Sequence, residues 1–432
     1  MAEQQHNFGI EPPVTGYISR KADWDTGDLI RRCCNALDIA KKTITLLADD
    51  GYIDPDDAGN HIYPEKIIGE TGLLLLVMSM VSLHKQIAER VEDIACVLAP
   101  YARKEKTFMD MCLQPALAFE YAQAHIFLTN MGYPDYKFDA LLSKSIDAHA
   151  NFGRERTPHR MLEQVWIKKL WNDKTQCSDH HVNKIIANSA LNKPIDLLHG
   201  TKDDMYAFTH ALMYATNFNN SPRRMPRKRT EIISEAEAML ARCLDEKDYD
   251  LTGEILLAWP LTGNTWNTVA AFAFRVLTSA EDETGYLPPP GLRVETFKKL
   301  EGTEREKYLN ATIYHTAYVM GLLCAISLMP GKIPPKNVPV KRSIPGAAAR
   351  ILPFLNSDPK TKQWRVEFDK MTPREQDSLA GLLFNIELIR NVRQKQYGTV
   401  YTLLGIAFEI DLADTAMARQ TAELLDRLSL LA

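Results

Sequence analysis

Asp203, Tyr206, His210 and Asn217 punctuate an otherwise apolar stretch at steps of three, four and seven residues. A helix turning every 3.6 residues carries such positions on one stripe. Polar groups inside an apolar helix line a wet cavity or close a hydrogen-bond network, because leaving them buried and unpaired costs too much. An imidazole beside a carboxylate is held in one tautomer and gains basicity, which general acid–base chemistry requires. His210, with Tyr206 and the acidic pair Asp203-Asp204, has the residue types for that chemistry. The competing reading is structural: Asp203 and Asp204 cap a helix start, and His210 is a satisfied core histidine.

The pattern returns at Tyr314-His315-Thr316-Ala317-Tyr318, followed by Gly321 and Cys324. This predicts that His315 faces His210 across one cavity, as a second acid or base, with Tyr214, Asn217, Tyr314 and Tyr318 as substrate contacts. A buried histidine bonded to a tyrosine is the alternative. Cys324 reads as an inert core thiol, since buried unassisted thiols stay protonated. Glu70 in Gly69-Glu70-Thr71-Gly72 and Glu254 in Thr252-Gly253-Glu254 each precede an apolar run. Two carboxylates facing one cavity can share acid and base roles; otherwise each satisfies backbone N–H groups or an arginine such as Arg160. Arg160 shares a helical face with Glu163, so it is either that residue's ion partner or a ligand contact.

The single strongly basic run is Ser221-Pro222-Arg223-Arg224-Met225-Pro226-Arg227-Lys228-Arg229-Thr230, directly after the His210 helix. Its functional reading is an anion-holding loop, with Arg227 and Arg229 on an anionic part of the substrate; its bland reading is a solvated loop. The cluster Cys177-Ser178-Asp179-His180-His181 resembles a metal site only superficially. Adjacent histidines diverge by about 100° on a helix, and no HExxH or paired CxxC accompanies them. The expectation is no metal, and with no GxGxxG or Walker motif, no cofactor.

The elements that must position these residues are almost all helical. Amphipathic or apolar helical periodicity predicts helices over 28–48, 66–89, 105–131, 136–150, 158–172, 179–190, 203–218, 230–245, 251–259, 264–279, 311–329, 372–394, 397–409 and 411–431. Residues 51–61 read as a polar loop, and strands are expected to be few and short. Glu70, Glu120, Glu163, His210, Glu254 and His315 each interrupt an apolar helix, while more polar helices such as Glu231–Leu244 intervene. Such alternation predicts an all-α fold of paired inner and outer helices, either an α/α toroid-like ring or a helical-repeat body. Pattern alone does not separate a closed ring from an open one. The body is expected over 1–330, a Pro-rich linker over 331–344 and a C-terminal helical tail over 345–432. That tail docks on its own protein or on a second copy.

With 432 residues, 45% hydrophobic and 25% charged, the chain has ordinary globular composition. A formal net charge of −4 argues against nucleic acid as partner. Seven cysteines without a CxxC pair suit a reducing cytoplasm. No secretory leader is read at Met1–His6, and Leu73–Val81 is too short to span a membrane.

Lys66-Ile67-Ile68-Gly69-Glu70-Thr71-Gly72-Leu73-Leu74-Leu75, the string Asp203–Tyr214, and Tyr314-His315-Thr316 with Gly321-Leu322 resemble a bacterial all-helical family of unknown function. That family is associated with specialised-metabolite gene neighbourhoods. The resemblance covers roughly residues 25–330 and implies that Glu70, Asp204, Tyr206, His210 and His315 are the residues to test. In architecture the helix alternation is similar to terpene-cyclase-like and lanthionine-cyclase-like toroids, but DxDD and DDxxD acids and a Cys/Cys/His zinc set are missing. The sequence thus predicts a cytosolic biosynthetic enzyme performing metal-independent acid–base chemistry on a small molecule or peptide. A non-catalytic scaffold binding a peptide or carrier protein is the alternative.

Overall fold

The computed structural model describes residues 24–54, 57–147, 154–171, 179–219, 225–340, 343–355 and 362–431. The described residues are all-α apart from one small hairpin. In order, the first half comprises α1 (Thr26–Leu47), β1 (Tyr52–Asp54), β2 (Asp57–Ile62), α2 (Pro64–Ser79), α3 (Lys85–Ala102), α4 (Glu105–Leu113), α5 (Ala118–Asn130), α6 (Tyr136–Ile146), α7 (Pro158–Leu170) and α8 (Asp179–Ala187). Then come α9 (Lys202–Ala215), α10 (Arg229–Glu246), α11 (Tyr249–Leu256), α12 (Ala258–Thr262), α13 (Thr268–Thr284), α14 (Val294–Lys299) and α15 (Gly302–Ser327). The C-terminal part adds α16 (Ala347–Ile351), α17 (Gln363–Asp369), α18 (Pro373–Ser378), α19 (Ala380–Arg393), α20 (Tyr397–Glu409) and α21 (Ala416–Ser429).

Several boundaries differ from the periodicity reading: α15 starts at Gly302 instead of 311, and 372–394 is divided into α18 and α19; three further differences have a clear physical reason. The chain predicted as helix 66–89 turns at 80–84, so that α3 can fold back against both α1 and α2. Helix 105–131 is divided at Pro115, which can neither donate to the preceding turn nor avoid its carbonyl. The predicted polar loop 51–61 contains the hairpin, with Tyr52 opposite Ile62 and Ile53 opposite His61. Tyr52 on β1 is buried against Tyr308. Thr372 does cap α18, with Pro373 in its first turn and Glu375 returning to the Thr372 N–H at 2.8 Å.

Six helices pack in a cycle: α2 on α5, α5 on α7, α7 on α9, α9 on α11, α11 on α15, and α15 back on α2. Other helices cover them from outside: α1 packs on α15 and α2, α3 on α2 and α5, and α10 on α11. Gly321 lets α15 sink onto α1 and α2, since a Cβ there would meet Ala36 Cβ at 2.6 Å and Met78 Cε at 2.9 Å. The Pro-rich segment lies along the body. The Trp266 indole donates to the Lys332 carbonyl at 2.7 Å and Thr268 Oγ1 to the Pro339 carbonyl at 2.6 Å. Beyond it, α17 packs on α13, and α19 and α21 pack on α10. Helix α15 is long and apolar enough to cross a membrane, yet 83% of its most apolar window is buried within the protein.

Candidate active site

A cavity of about 350 Å³ sits inside the six-helix cycle, and every one of the six contributes to its lining. The six polar residues that interrupt apolar helices, Glu70, Glu120, Glu163, His210, Glu254 and His315, all line it. Leu73, Phe127, Trp166, Met213 and Leu322 are among the apolar walls.

The chemistry concentrates where α11 crosses α15. A Cβ on Gly253 would lie 2.5 Å from Val319 Cγ1, so a larger residue would force the helices apart. Asp250 and Glu254, four residues apart, share the α11 face that this approach presents to α15. His315 Nδ1 lies 2.7 Å from Asp250 Oδ1, and the Tyr206 hydroxyl donates to Asp250 Oδ2 at 2.7 Å. These bonds fix the imidazole and leave Nε2 directed to the Glu70 side, with Oε1 at 3.7 Å.

Burial alone would pull the His315 imidazole down. Asp250 and Glu70 outweigh it and push His315 up to about 10, so the ring is an imidazolium at neutral pH. Burial would likewise raise Asp250, but His315 and the Tyr206 hydroxyl hold it below the usual carboxylate range. Burial and the neighbouring Asp250 drive the Tyr206 phenol far upward, which keeps it a donor.

The second pair is His210 and Glu254. His210 Nε2 stands 3.6 Å from Glu254 Oε2, the oxygen that accepts the Thr209 hydroxyl at 2.5 Å. Burial opposes protonation of His210, and Glu254 overrides it, raising the imidazole above its ordinary value. His210 Nδ1 is enclosed with no hydrogen-bond partner. Rings of Tyr206, His159 and Tyr214 surround it at 5.9, 6.0 and 6.1 Å between centroids.

The opposite wall is a saturated carboxylate. Glu163 accepts from Arg160 Nη1 at 2.8 Å, Tyr214 Oη at 3.0 Å and Gln123 Nε2 at 3.2 Å. It anchors the polar edge of the wall, and Tyr214 packs on Trp166 with centroids 5.3 Å apart. Tyr318 lines the cavity with its hydroxyl 2.7 Å from Thr71 Oγ1. Tyr314 is buried behind it, its ring 5.3 Å from that of Tyr318.

Other expected site residues lie elsewhere. Asp204 is exposed and forms a capping box with Thr201, its Oδ2 accepting the Thr201 N–H at 2.7 Å. The first turn of a helix favours a carboxylate at that position, and its side chain is spent there. Asn217 accepts the Trp166 indole N–H at 2.5 Å from a left-handed backbone (φ 49°) just beyond α9, outside the cavity lining. The described part of the basic run, from Met225 on, does not line the cavity. Arg227 pairs with Glu235 and donates to the Leu191 carbonyl at 2.9 Å, and Arg229 is exposed at the start of α10. Arg223 and Arg224 lie outside the described residues, as do Cys177 and the side chain of Asp179; His180 and His181 are exposed. Arg227 and Glu235 have side chains only 10% and 4% exposed. Arg227→Ala is therefore expected to lower the unfolding free energy by about 2 kcal/mol or more by stranding Glu235, read by urea denaturation. An unchanged midpoint would return Arg227 to the solvated-loop reading.

Asp250 escaped the sequence reading, although Asp250-x-x-x-Glu254 flanking Gly253 was a usable signal for two acids on one helical face. Asp250, Glu254 and His315 each offer an atom within 4.8 Å of the others, a span one cation could bridge. Two ligands on a zinc-sized ion stay about 3 Å or more apart. The 2.7 Å His315–Asp250 separation is instead a hydrogen-bond length, the geometry of a proton-held pair.

The chain belongs to the family described as "Domain of unknown function (DUF6895)", whose model matches residues 36–325. That span includes five of the inner helices whole, α15 as far as Ala325, and the whole cavity lining. No curated protein and no solved structure gives a significant match.

Proposed function

We propose that this member of the family is an enzyme doing metal-independent acid–base chemistry, an elimination, cyclisation or hydrolysis, on a small molecule held in the cavity. One observation carries the reading: two histidine–carboxylate pairs, His315–Asp250 and His210–Glu254, meet at one cavity. His315, charged at neutral pH, is the proton donor through Nε2, and Asp250 positions it. His210, paired with Glu254, is the base, and Glu70 completes the charge balance around the donor. Tyr214, Tyr318 and Arg160 bound the space for the substrate. The scaffold alternative calls for an open groove with dispersed polar groups, whereas here the ionisable groups converge. Free thiols at Cys33, Cys34, Cys96, Cys112, Cys243 and Cys324 suit the cytoplasm. Specialised metabolism is the setting that the family resemblance suggests.

The test is untargeted mass spectrometry of fractionated metabolite extracts incubated with the purified protein in ordinary and heavy water. A species consumed by the wild type, with deuterium in its product, is expected to be turned over at least about 100-fold more slowly by His315→Ala and by His210→Ala. Each variant should lose only about 1–3 kcal/mol of stability. Full turnover by both folded variants would overturn the assignment. A second expectation concerns metals: dialysis against a strong chelator leaves that turnover unchanged. One equivalent of retained zinc, manganese or iron, with activity lost on its removal, would reassign Asp250, Glu254 and His315 as ligands.

A further inference from the structure

The cavity is acidic and walled with aromatic rings. Among its lining residues, Glu65, Glu70, Glu120, Glu163 and Glu254 outnumber the cations Lys66, Arg160 and the protonated His315. Four of these five carboxylates have partners that hold them in place. Glu65 is paired with Lys106, Glu120 lies 3.5 Å from Arg156 Nη2, Glu163 carries Arg160, and Glu254 takes the Thr209 hydroxyl. Glu70 differs. Its Oε2 is shut away from solvent and accepts no hydrogen bond. Its Oε1 has Lys66 Nζ at 3.8 Å and His315 Nε2 at 3.7 Å, both beyond hydrogen-bond reach. The Tyr314 phenol hydrogen-bonds to this carboxylate. The Glu70 side chain is 28% exposed, but a carboxylate oxygen shut away without a hydrogen bond is costly, and a ligand N–H is what would relieve it.

Next to Glu70 the lining continues through Tyr121, Phe127, Trp166, Tyr214 and Tyr318. The faces of such rings attract ammonium groups and the alkyl carbons attached to them. Two of the cations that could have served an anionic ligand are committed, Arg160 to Glu163 and Arg227 to Glu235 outside the cavity, and Lys66 stands 3.8 Å from Glu70.

We propose that the cavity selects an organic cation, an amine whose ammonium group docks at Glu70 and whose apolar body lies against Tyr121, Phe127, Trp166 and Tyr214. A volume of about 350 Å³ suits a ligand on the order of a dozen to twenty non-hydrogen atoms. The ammonium donates to the carboxylate, sits beside the Glu70–His315 gap, and holds the rest of the molecule within reach of His210. Anionic substrates such as phosphate esters are excluded by the same field. This selection rests on the cavity being the functional site identified above, but not on the reaction performed there.

Three probes sharing one skeleton test it: 3-phenylpropylammonium, 3-phenylpropan-1-ol and 3-phenylpropanoate, titrated into the full-length protein at neutral pH by calorimetry. The ammonium should bind about tenfold or more tighter than the carboxylate. Glu70→Gln should weaken the ammonium about tenfold and leave the alcohol unchanged. In the wild type, added salt should weaken the ammonium and spare the alcohol, a readout that needs no variant. Carboxylate binding equal to or tighter than ammonium, an unaltered ammonium affinity in folded Glu70→Gln, or no binding of any probe up to about 10 mM would overturn the proposal. Because calorimetry requires no turnover, a carboxylate preference would leave the acid–base assignment standing. Histidine-independent turnover would sink that assignment while leaving amine selection intact.

Discussion

Asp250→Asn is expected to reduce turnover by roughly a thousandfold while the protein stays folded. Asp250 touches no substrate, since its two oxygens are occupied by His315 Nδ1 and the Tyr206 hydroxyl, both at 2.7 Å. Its role is to keep the His315 proton on Nδ1 and Nε2 directed at the cavity, and to stabilise the charged ring. An amide can offer its N–H to Nδ1, which selects the wrong tautomer, the failure that costs about 10⁴ in a serine-protease triad. A pH profile separates this from a packing defect. Burial lowers His315 but Asp250 and Glu70 raise it to about 10, so the wild-type alkaline limb should fall near pH 10. Without the Asp250 charge, that limb should move toward neutrality. The same shift makes a stability prediction. A histidine whose folded pKa is raised contributes fully below its unfolded value near 6.5 and loses that contribution as pH rises through about 10. Asp250, held low, contributes above its unfolded value near 3.9 and loses it as pH falls through the lower folded value. An Asp250→Asn enzyme with wild-type turnover and an unmoved alkaline limb would remove Asp250 from the site.

Glu281→Ala is expected to cost about 3–5 kcal/mol of stability, the largest loss from a single ion-pair substitution away from the cavity. Arg32 on α1 is only 1% exposed. It pairs with Glu281, donates through Nε to Asp28 at 2.8 Å, and reaches Asp282 through Nη2 at 2.9 Å. Glu281, its only fully buried partner among these, also accepts Asn35 Nδ2 at 3.0 Å. Truncation leaves a guanidinium in the α1–α13 junction with Asp28 and the half-exposed Asp282. Glu281→Gln, which keeps acceptor and shape, should cost clearly less. Urea denaturation of the two variants is the measurement, and equal small losses would show that water reaches Arg32 and screens it. Because none of these residues lines the cavity, residual folded Glu281→Ala should retain the wild-type pH profile.

The six inner helices were legible because period alone identifies a polar residue on an apolar face. Glu70, Glu120, Glu163, His210, Glu254 and His315 stood out in that way, and all six face one cavity. The all-α class and the Thr372 cap follow from equally local rules. What crosses from one helix to another was not legible. Asp204 and Asp250 are both acids in the first turn of a helix. The first bonds its own cap, and the second reaches a histidine 65 residues away. The Arg227–Arg229 segment follows the His210 helix in sequence yet turns outward, where Glu235 captures Arg227. Sequence spacing determined which side chains share a helical face, because that geometry repeats every 3.6 residues in any α-helix. Which faces meet was decided by tertiary packing. Gly253 and Gly321 let α15 sink against α11, α1 and α2, and only that close approach turns separate stripes into hydrogen-bonded pairs.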